Sequence, residues 1–339
     1  KMANISLRNP QFKSVTLGIT ENSASCRVKV DGTTRYTLIK NRPNTGGFVA
    51  SVITLNFDIS ELARDYLEIE YQSNYTPQKV EIESDINTYT LQDGQGTIVQ
   101  TLATIEDVGF EAYGTFFENV NPIVPFRSLP TYLIPAQNPS PLFTPTFEIL
   151  VPENESGRVP YINASGVSSL NYTNTATSIV SADGVTLNIK RASCSKYGDG
   201  IKIIYINKYG AQQDLWFFLK NSKQIARTNE GYKSNIISYP SNSGATYNQK
   251  QAANKLFNTQ AKQSHSLSSG YYPEASNQLF EELLLSEYVW LQLFFGGKTE
   301  IIPVNVKDSA IAFKTQLNDR LIQYTMEFEE AFDYINNIR

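Results

Sequence analysis

Apolar and polar residues alternate in short runs along much of this chain, which is the pattern of strands with one buried face. Such runs cover residues 80–83, 97–105 and 186–189. Alternation interrupted by turns predicts a mostly β protein. The turn dipeptides that accept a positive φ and stand near these runs are Asp31-Gly32, Asp93-Gly94, Asp183-Gly184 and Asp199-Gly200.

One hairpin is clear in the second half of the chain. Residues 201–206 form the first run, residues 207–210 (Asn-Lys-Tyr-Gly) supply a turn, and residues 215–219 form the second run. The second run is apolar at every position, unlike a strand with one face in water. We therefore expect a central strand covered on both faces, or a strand with one face against another subunit.

The C-terminal part of the chain returns to the same pattern. Residues 287–295 and 299–306 flank the turn Gly296-Gly297-Lys298, which predicts a further hairpin. Residues 320–329 alternate cleanly and predict a half-buried strand. The positions expected to face inward on that strand are Ile322, Tyr324, Met326 and Phe328.

Short helices are predicted at two places, the first over residues 59–67. Asp58 and Glu61 have the spacing of a capping box, in which each side chain bonds the other's backbone N–H. Phe57 and Leu62 have the spacing of the hydrophobic staple that encloses such a box. We expect this helix to cross the open end of a sheet.

The second helix is predicted from about Ser276 to Leu285, where apolar residues recur at helical spacing. Residues 221–270, which precede it, are dominated by Ser, Asn, Gln, Lys and Gly. That composition predicts a long polar surface loop, ordered in part against a partner. Within it, residues 248–260 are either a weaker third helix or a mobile stretch.

Proline is concentrated in the middle of the chain, where nine of the fifteen prolines fall between positions 122 and 160. Prolines at this spacing disfavour helix and central strand, so the segment is predicted to run extended. Apolar residues between the prolines require a surface to lie on, either the chain's own domain or a neighbouring subunit. The prediction is a β-sandwich-like domain at 1–120, an extended strap at 121–160, and a second, sandwich-like β domain at 161–339.

The composition contains few of the side chains that carry catalysis at neutral pH. The 339 residues include one His and two Cys, 12% of them are aromatic and 18% charged, and the net charge is −4. We interpret His265, in the Ser-rich part of the polar stretch, as a surface residue without a rigid partner. No catalytic residue, cofactor site, metal site or nucleic-acid-binding surface is predicted. A glycosidase, which needs only two carboxylates across a groove, is the enzymatic alternative.

The cysteines and the apolar segments give further expectations. Cys26 and Cys194 stand far apart, as two buried free thiols or as one long-range disulfide. No run of eighteen apolar residues is present, so no membrane insertion is predicted. The first residues lack the apolar core of an export signal, and we expect the start of a cytosolic protein.

Segments of this chain resemble counterparts in a family of virion proteins from tailed bacteriophages that infect Bacteroidetes-type bacteria. The resemblance lies in residues 56–67, 201–219, 286–290, 303–304 and 314–325, in the same order as in the family. Members of the family are structural or tail-associated proteins. The resemblance therefore implies a structural, non-enzymatic role in a virion.

The expected function is a tail-tip, baseplate or other tail-associated subunit that assembles symmetrically through β surfaces and an extended arm. Its expected partners are copies of itself and other virion proteins. A carbohydrate-binding adhesin that contacts a host surface glycan is the main alternative, and a neck or head-decorating component is another. The residues predicted to form the assembly interface are Phe126, Tyr132, Phe143, Trp216, Phe217, Phe218, Trp290, Phe294 and Phe295.

Overall fold

The computed structural model shows a mostly β protein with two short α-helices among the residues that it describes. The described residues are 3–8, 10–43, 52–73, 78–110, 131–132, 147–163, 166–180, 186–193, 200–207, 210–242, 244–295, 298–308, 310–312 and 321–333.

The N-terminal unit contains eight strands and one helix, and its core lies between a large sheet and a small one. The large sheet has the order β1-β8-β6-β3-β4, with β7 also pairing β6, and the small sheet is β2-β5. The elements are β1 (Ala3–Ser6), β2 (Phe12–Leu17), β3 (Ser23–Val30), β4 (Thr33–Asn41), β5 (Ile53–Asp58), α1 (Ser60–Arg64), β6 (Lys79–Tyr89), β7 (Ile98–Thr101) and β8 (Ile105–Phe110).

Local sequence explains the β3–β4 hairpin. Val30 pairs with Thr33, so Asp31 and Gly32 form a two-residue turn with φ of 48° and 74°. Positive φ at both positions matches the right-handed twist of the flanking strands. Alternate residues of β3 then point into the core, among them the buried Cys26. The prediction of a β-sandwich-like class is confirmed here.

Helix α1 is shorter than predicted, and its capping differs from a capping box. The Asp58 carboxylate accepts hydrogen bonds from the backbone N and the hydroxyl of Ser60, each through Oδ1, at 3.0 and 2.7 Å. It also accepts from the backbone N of Gln11 at 3.0 Å. Asp58 therefore joins the start of the helix to the segment before β2, and both Phe57 and Ile59 are fully buried.

The C-terminal unit contains the remaining strands and the second helix. Its largest sheet has the order β16-β15-β22-β23-β25-β20-β17, and two three-stranded sheets, β10-β14-β13 and β12-β11-β9, accompany it. The strands are β9 (Thr131–Tyr132), β10 (Phe147–Pro152), β11 (Gly157–Asn163), β12 (Gly166–Tyr172), β13 (Ser178–Val180), β14 (Thr186–Ala192), β15 (Ile201–Ile206), β16 (Gln212–Phe217), β17 (Asn221–Lys233), β18 (Ile237–Ser238), β19 (Thr246–Tyr247), β20 (Asn254–Ser268), β21 (Tyr272–Pro273), β22 (Val289–Phe295), β23 (Lys298–Val306), β24 (Leu321–Ile322) and β25 (Thr325–Glu330).

Helix α2 (Asn277–Leu285) follows a single 3-10 turn at Glu274–Ser276 and confirms the predicted second helix. Its Phe280 is fully buried, with ring centroids 5.3 Å from Tyr272 and 4.9 Å from Tyr324. The four inward positions predicted between residues 320 and 329 are all buried. The strand itself is divided into β24 and β25.

The described part of the proline-rich segment departs from the predicted strap. Strand β10 pairs in parallel with β14, and β11 pairs with β12, so residues 147–160 belong to the C-terminal unit. Pro160 lies in β11, opposite Ser169, and the described pairing of β11 with β9 begins one residue later, at Tyr161. A strand accepts proline where that residue donates no ladder hydrogen bond. Residues 121–130 and 133–146 lie outside the described residues.

The prediction of a polar loop over residues 221–270 is wrong. Strands β17 and β20 pair along most of their length in an antiparallel ribbon. The helix alternative for residues 248–260 is also wrong, because residues 254–260 belong to β20. Cross-strand hydrogen bonds satisfy the backbone of these polar residues, and composition alone does not reveal that pairing.

A loop of the N-terminal unit, residues 68–73 between α1 and β6, lies against the C-terminal unit. Gln212 Nε2 donates to the carbonyl oxygen of Glu70 at 2.9 Å. The Arg158 guanidinium donates to the carbonyl oxygens of Gln72 at 2.7 Å and of Ser73 at 2.8 Å. These bonds hold the segment against the C-terminal unit.

Candidate interaction surface

Three of the aromatic residues predicted to form an interface are adjacent at the end of β16. Trp216, Phe217 and Phe218 are all buried in the main core of the C-terminal unit. The Phe217 ring contacts Phe280 and Phe328 edge to face, with centroids 6.2 and 5.8 Å apart. Strand β16 is thus covered on both faces by the chain itself, although it lies at the edge of its sheet.

Trp290 lies on β22 and contacts the loop at residues 68–73 of the N-terminal unit. It is 7% exposed and packs with Ile204 and Ile206. Its ring centroid is 6.2 Å from that of Tyr71 and 6.5 Å from that of Tyr288. Trp290 therefore contacts another part of the same chain.

The other predicted interface residues are described only in part. The structure describes only the backbone of Phe294 and Phe295, which lie in β22, and of Tyr132, which lies in β9. Phe126 and Phe143 lie outside the described residues. Their role in assembly stays a prediction.

The β17–β20 ribbon continues past the strands beside it in the seven-stranded sheet, and we call residues 221–262 the arm. None of its described residues is buried. From Gln263 toward the tip, no strand among the described residues pairs with the β17–β20 ribbon, because β25 pairs with β20 only from Ser264 onward. From Gln224 to Lys233, at about 3.3 Å per residue, the paired part extends about 30 Å.

A bulge divides the arm and sets which side chains share a face. The register shifts between Thr228 and Glu230, opposite Asn258, whose φ is 49°. Asparagine tolerates this left-handed conformation better than most residues. Beyond the bulge, Tyr232 and Phe257 lie on one face with ring centroids 5.9 Å apart.

Large apolar side chains on the arm remain open to solvent. Tyr232 is 51% exposed and Phe257 49%, and at the tip Tyr239 is 73% exposed. A two-stranded ribbon is at best marginally stable in water unless its faces pack against something. Exposed apolar groups on such a ribbon are typical of a surface that binds another molecule.

The arm is basic, whereas the rest of the chain is acidic. Residues 221–262 contain six Lys or Arg and one Glu, a net charge of +5. The whole chain has 29 Lys and Arg against 33 Asp and Glu, so 23 basic and 32 acidic residues, a net charge of −9, lie elsewhere. This asymmetry was not predicted, because the basic residues of the arm are separated in sequence and form no run.

His265 lies at the root of the arm and corrects the interpretation of a surface histidine. It is buried in β20, with Nε2 2.9 Å from Oε1 of Glu330. The side-chain amide of Gln263 donates to the same carboxylate oxygen. Lys262, which follows Gln263 along β20 toward the tip of the arm, forms an ion pair with Glu329 at 2.8 Å. Together these contacts join the root of the arm to β25.

A thiol and an ion pair are largely enclosed within the two units. Burial raises the pKa of the Cys26 thiol to about 11, which suppresses the reactive thiolate. Lys202 forms an ion pair with Asp214 at 3.4 Å, and its ammonium lies 5.5 Å from the centre of the Trp216 ring. Among the described residues, no group of three or more His, Cys, Asp or Glu could hold a metal ion.

Two further findings bear on function. In the part of the chain that the structure describes, no helix has the length and apolar character needed to cross a membrane. The chain matched no protein-family model, no curated protein and no solved structure.

Proposed function

We propose that this protein is a structural subunit of a tailed-phage virion, associated with the tail tip or baseplate, and that it assembles with copies of itself. The arm is the observation that carries the assembly part of the proposal. It extends about 30 Å from the sheet at the rise of a β-strand and presents apolar side chains on a ribbon that requires a partner for stability. Placement in a phage tail is supported by the resemblance of residues 56–67 and 201–219 to tail-associated proteins.

The proposal includes a non-enzymatic role. The single histidine of the chain is held by Glu330 at the root of the arm, in a position suited to joining two strands. The aromatic side chains of β16 pack into a core, where they stabilise the subunit on which the arm is mounted.

Sedimentation velocity over a protein concentration series tests self-assembly. We expect the purified chain to form one defined oligomer as concentration rises, and electron microscopy of that species to show a ring or a regular stack. A single monomeric species at every concentration, including about 100 μM, roughly one hundred times a micromolar Kd, would refute it.

The virion assignment needs a separate measurement. Quantitative mass spectrometry of purified particles, from a phage that encodes this chain, is expected to find it in several copies per particle. Its absence from purified particles, with presence in the infected-cell lysate, would overturn the assignment.

A carbohydrate-binding adhesin is the second candidate, and the tip of the arm favours it. Tyr239 and Tyr247 are both exposed there, among Asn and Ser residues. Exposed tyrosine rings in such a setting suit stacking and hydrogen bonding to sugars. Binding on a glycan array that is lost in Tyr239→Ala but kept in Tyr232→Ala would support this role.

A further inference from the structure

One face of the arm combines aliphatic side chains with positive charge. The pairing of β17 with β20 places Lys223, Ile225 and Arg227 on one face, and Leu256 and Lys233 continue it beyond the bulge. All five side chains are exposed. We call this face, two aliphatic groups among three cations, the basic face.

A surface of matching chemistry lies at the end of α2. Leu285 is 72% exposed, and Glu281 and Glu287, on either side of it in sequence, are exposed as well. We call these three residues the acceptor patch. Glu287 lies 3.9 Å from Arg64 of the same chain, but its side chain is 75% exposed. Two other acids, Glu329 and Glu330, are less suited, because their side chains are only 22% and 13% exposed and contact Lys262 and His265.

We propose that the basic face of the arm in one copy binds the acceptor patch of a second copy, so that subunits join head to tail. This inference rests on the proposed function, since it requires self-assembly. The net charge of +5 on the arm and of −9 elsewhere favours contact between the arm and the body of another copy. Contact between two arms would place positive charges against each other, which is unfavourable.

Nucleic acid is the other partner that a basic ribbon suggests, and the surroundings of the arm disfavour it. Strand β25 brings Glu327, Glu329 and Glu330 to the root of the arm. A phosphate backbone lying along the arm would approach these carboxylates and the acidic remainder of the chain. The exposed aliphatic side chains of Ile225 and Leu256 on the basic face suit contact with the exposed Leu285 and have no counterpart in a phosphate backbone.

The symmetry of the assembly follows from this contact. Each copy contributes its arm to one neighbour and its acceptor patch to another, which is a heterologous interface. Such an interface generates a ring when the rotation closes, and a filament when it does not.

A variant without the arm separates this inference from arm-to-arm pairing. Residues 226–262 are replaced by Asp-Gly, the same dipeptide that connects β3 to β4, while the pairing of Ile225 with Gln263 is kept. No described residue of the removed segment is buried, so we expect native circular dichroism and an unchanged melting temperature. Alone, this variant is expected to be monomeric; mixed with the wild type, it is expected to bind one end of the assembly and to shorten it.

Charge reversal tests the two faces. Lys223→Glu with Arg227→Glu is expected to weaken self-association about tenfold or more, and so is Glu281→Lys with Glu287→Lys. Mixing these two variants restores opposite charges and should restore association. Lys79→Glu with Lys190→Glu reverses two exposed charges outside the arm and is the matched control, expected to change association less than about threefold.

The outcomes distinguish the inference from the proposed function. Wild-type oligomers that the armless variant neither shortens nor binds would refute docking of arm on body and leave self-assembly intact. A wild type that is monomeric under all conditions would refute both. Tight binding of a 20-base-pair DNA duplex at 150 mM salt, lost on reversal of Lys223 and Arg227, would overturn the inference in favour of nucleic acid.

Discussion

Replacing Trp290 by alanine tests whether its side chain stabilises the folded subunit or serves contact with other subunits. The side chain is 7% exposed and lies between the loop at residues 68–73 and the seven-stranded sheet. Its truncation removes the contacts with Tyr71 and Tyr288 and leaves a cavity between the two units. We therefore expect a loss of subunit stability.

The magnitude follows from the buried area. A tryptophan side chain buries on the order of 150–250 Å². At about 25 cal/mol per Å² this corresponds to roughly 4–6 kcal/mol. Partial collapse of the cavity lowers the expected cost of Trp290→Ala to about 3–5 kcal/mol. Because a folded domain is stable by only about 5–15 kcal/mol, the variant should lose a large fraction of its free energy of unfolding.

Equilibrium unfolding in urea measures this loss. The chain has two tryptophans, so the fluorescence of the buried Trp216 still reports unfolding of the C-terminal unit in the variant. With a slope of about 1–3 kcal/mol per M, the midpoint should move to lower urea by roughly 1–5 M. Tyr232→Ala is the control on the arm, where the half-exposed ring should contribute about 0.5 kcal/mol or less.

Two results would contradict the assignment of Trp290 to the core and of Tyr232 to an exterior surface. One is an unchanged urea midpoint for Trp290→Ala, measured on protein that is monomeric throughout. The other is a loss of several kcal/mol for Tyr232→Ala under the same conditions.

Three further predictions concern stability and reactivity. Gly270 has a φ of +86°, and a Cβ there would lie 2.1 Å from a ring carbon of Phe218. Gly270→Ala should therefore cost roughly 2–5 kcal/mol in thermal unfolding. Gly244→Ala, where a Cβ meets nothing within 4 Å, should cost about 0.5 kcal/mol or less, and equal melting of the two variants would contradict this. Since burial raises the pKa of Cys26 from 9.0 to about 11, its stabilising contribution is full below pH 9 and is lost between pH 9 and 11. The variant Cys26→Ala should lose this pH-dependent part of the stability. In the wild type, iodoacetamide at pH 8 should label Cys26 only after unfolding, as mapped by mass spectrometry. Labelling at the same rate in the folded chain would refute the burial argument. Arg158→Ala removes the donors to the backbone of residues 68–73 and should cost about 1–3 kcal/mol, with faster proteolysis in that segment; unchanged cleavage there would contradict its role.

Elements with a strong local period were predictable from sequence. The hairpin of β15 and β16, the hairpin of β22 and β23, and helix α2 lie where their patterns placed them. Phe328 and the other inward residues of β24 and β25 are buried as expected. Period and turn chemistry act between neighbouring residues, so they can be identified without knowledge of the rest of the fold.

The candidate surface was predictable only in its position on the chain. Residues 221–270 were recognised as lying outside the core, but their polar composition indicated a loop. The alternation typical of a strand is absent from β17, because Lys223 and Arg227 share a face with Ile225, and the bulge opposite Asn258 reverses the alternation within β20. The exposed aromatic residues of the arm were therefore absent from the predicted interface.

Sequence by itself determined that this chain is rich in β-strands, aromatic and poor in titrating side chains, because these properties depend on residue type and local spacing. Tertiary structure decided which aromatic residues are covered and which remain exposed. Trp290 is buried because Tyr71, more than two hundred residues earlier in the chain, packs against it, and His265 is buried because Glu330 lies on the neighbouring strand. The arm is a ribbon for the same reason: its two strands satisfy each other's backbone groups across a chain excursion that leaves no mark in local composition.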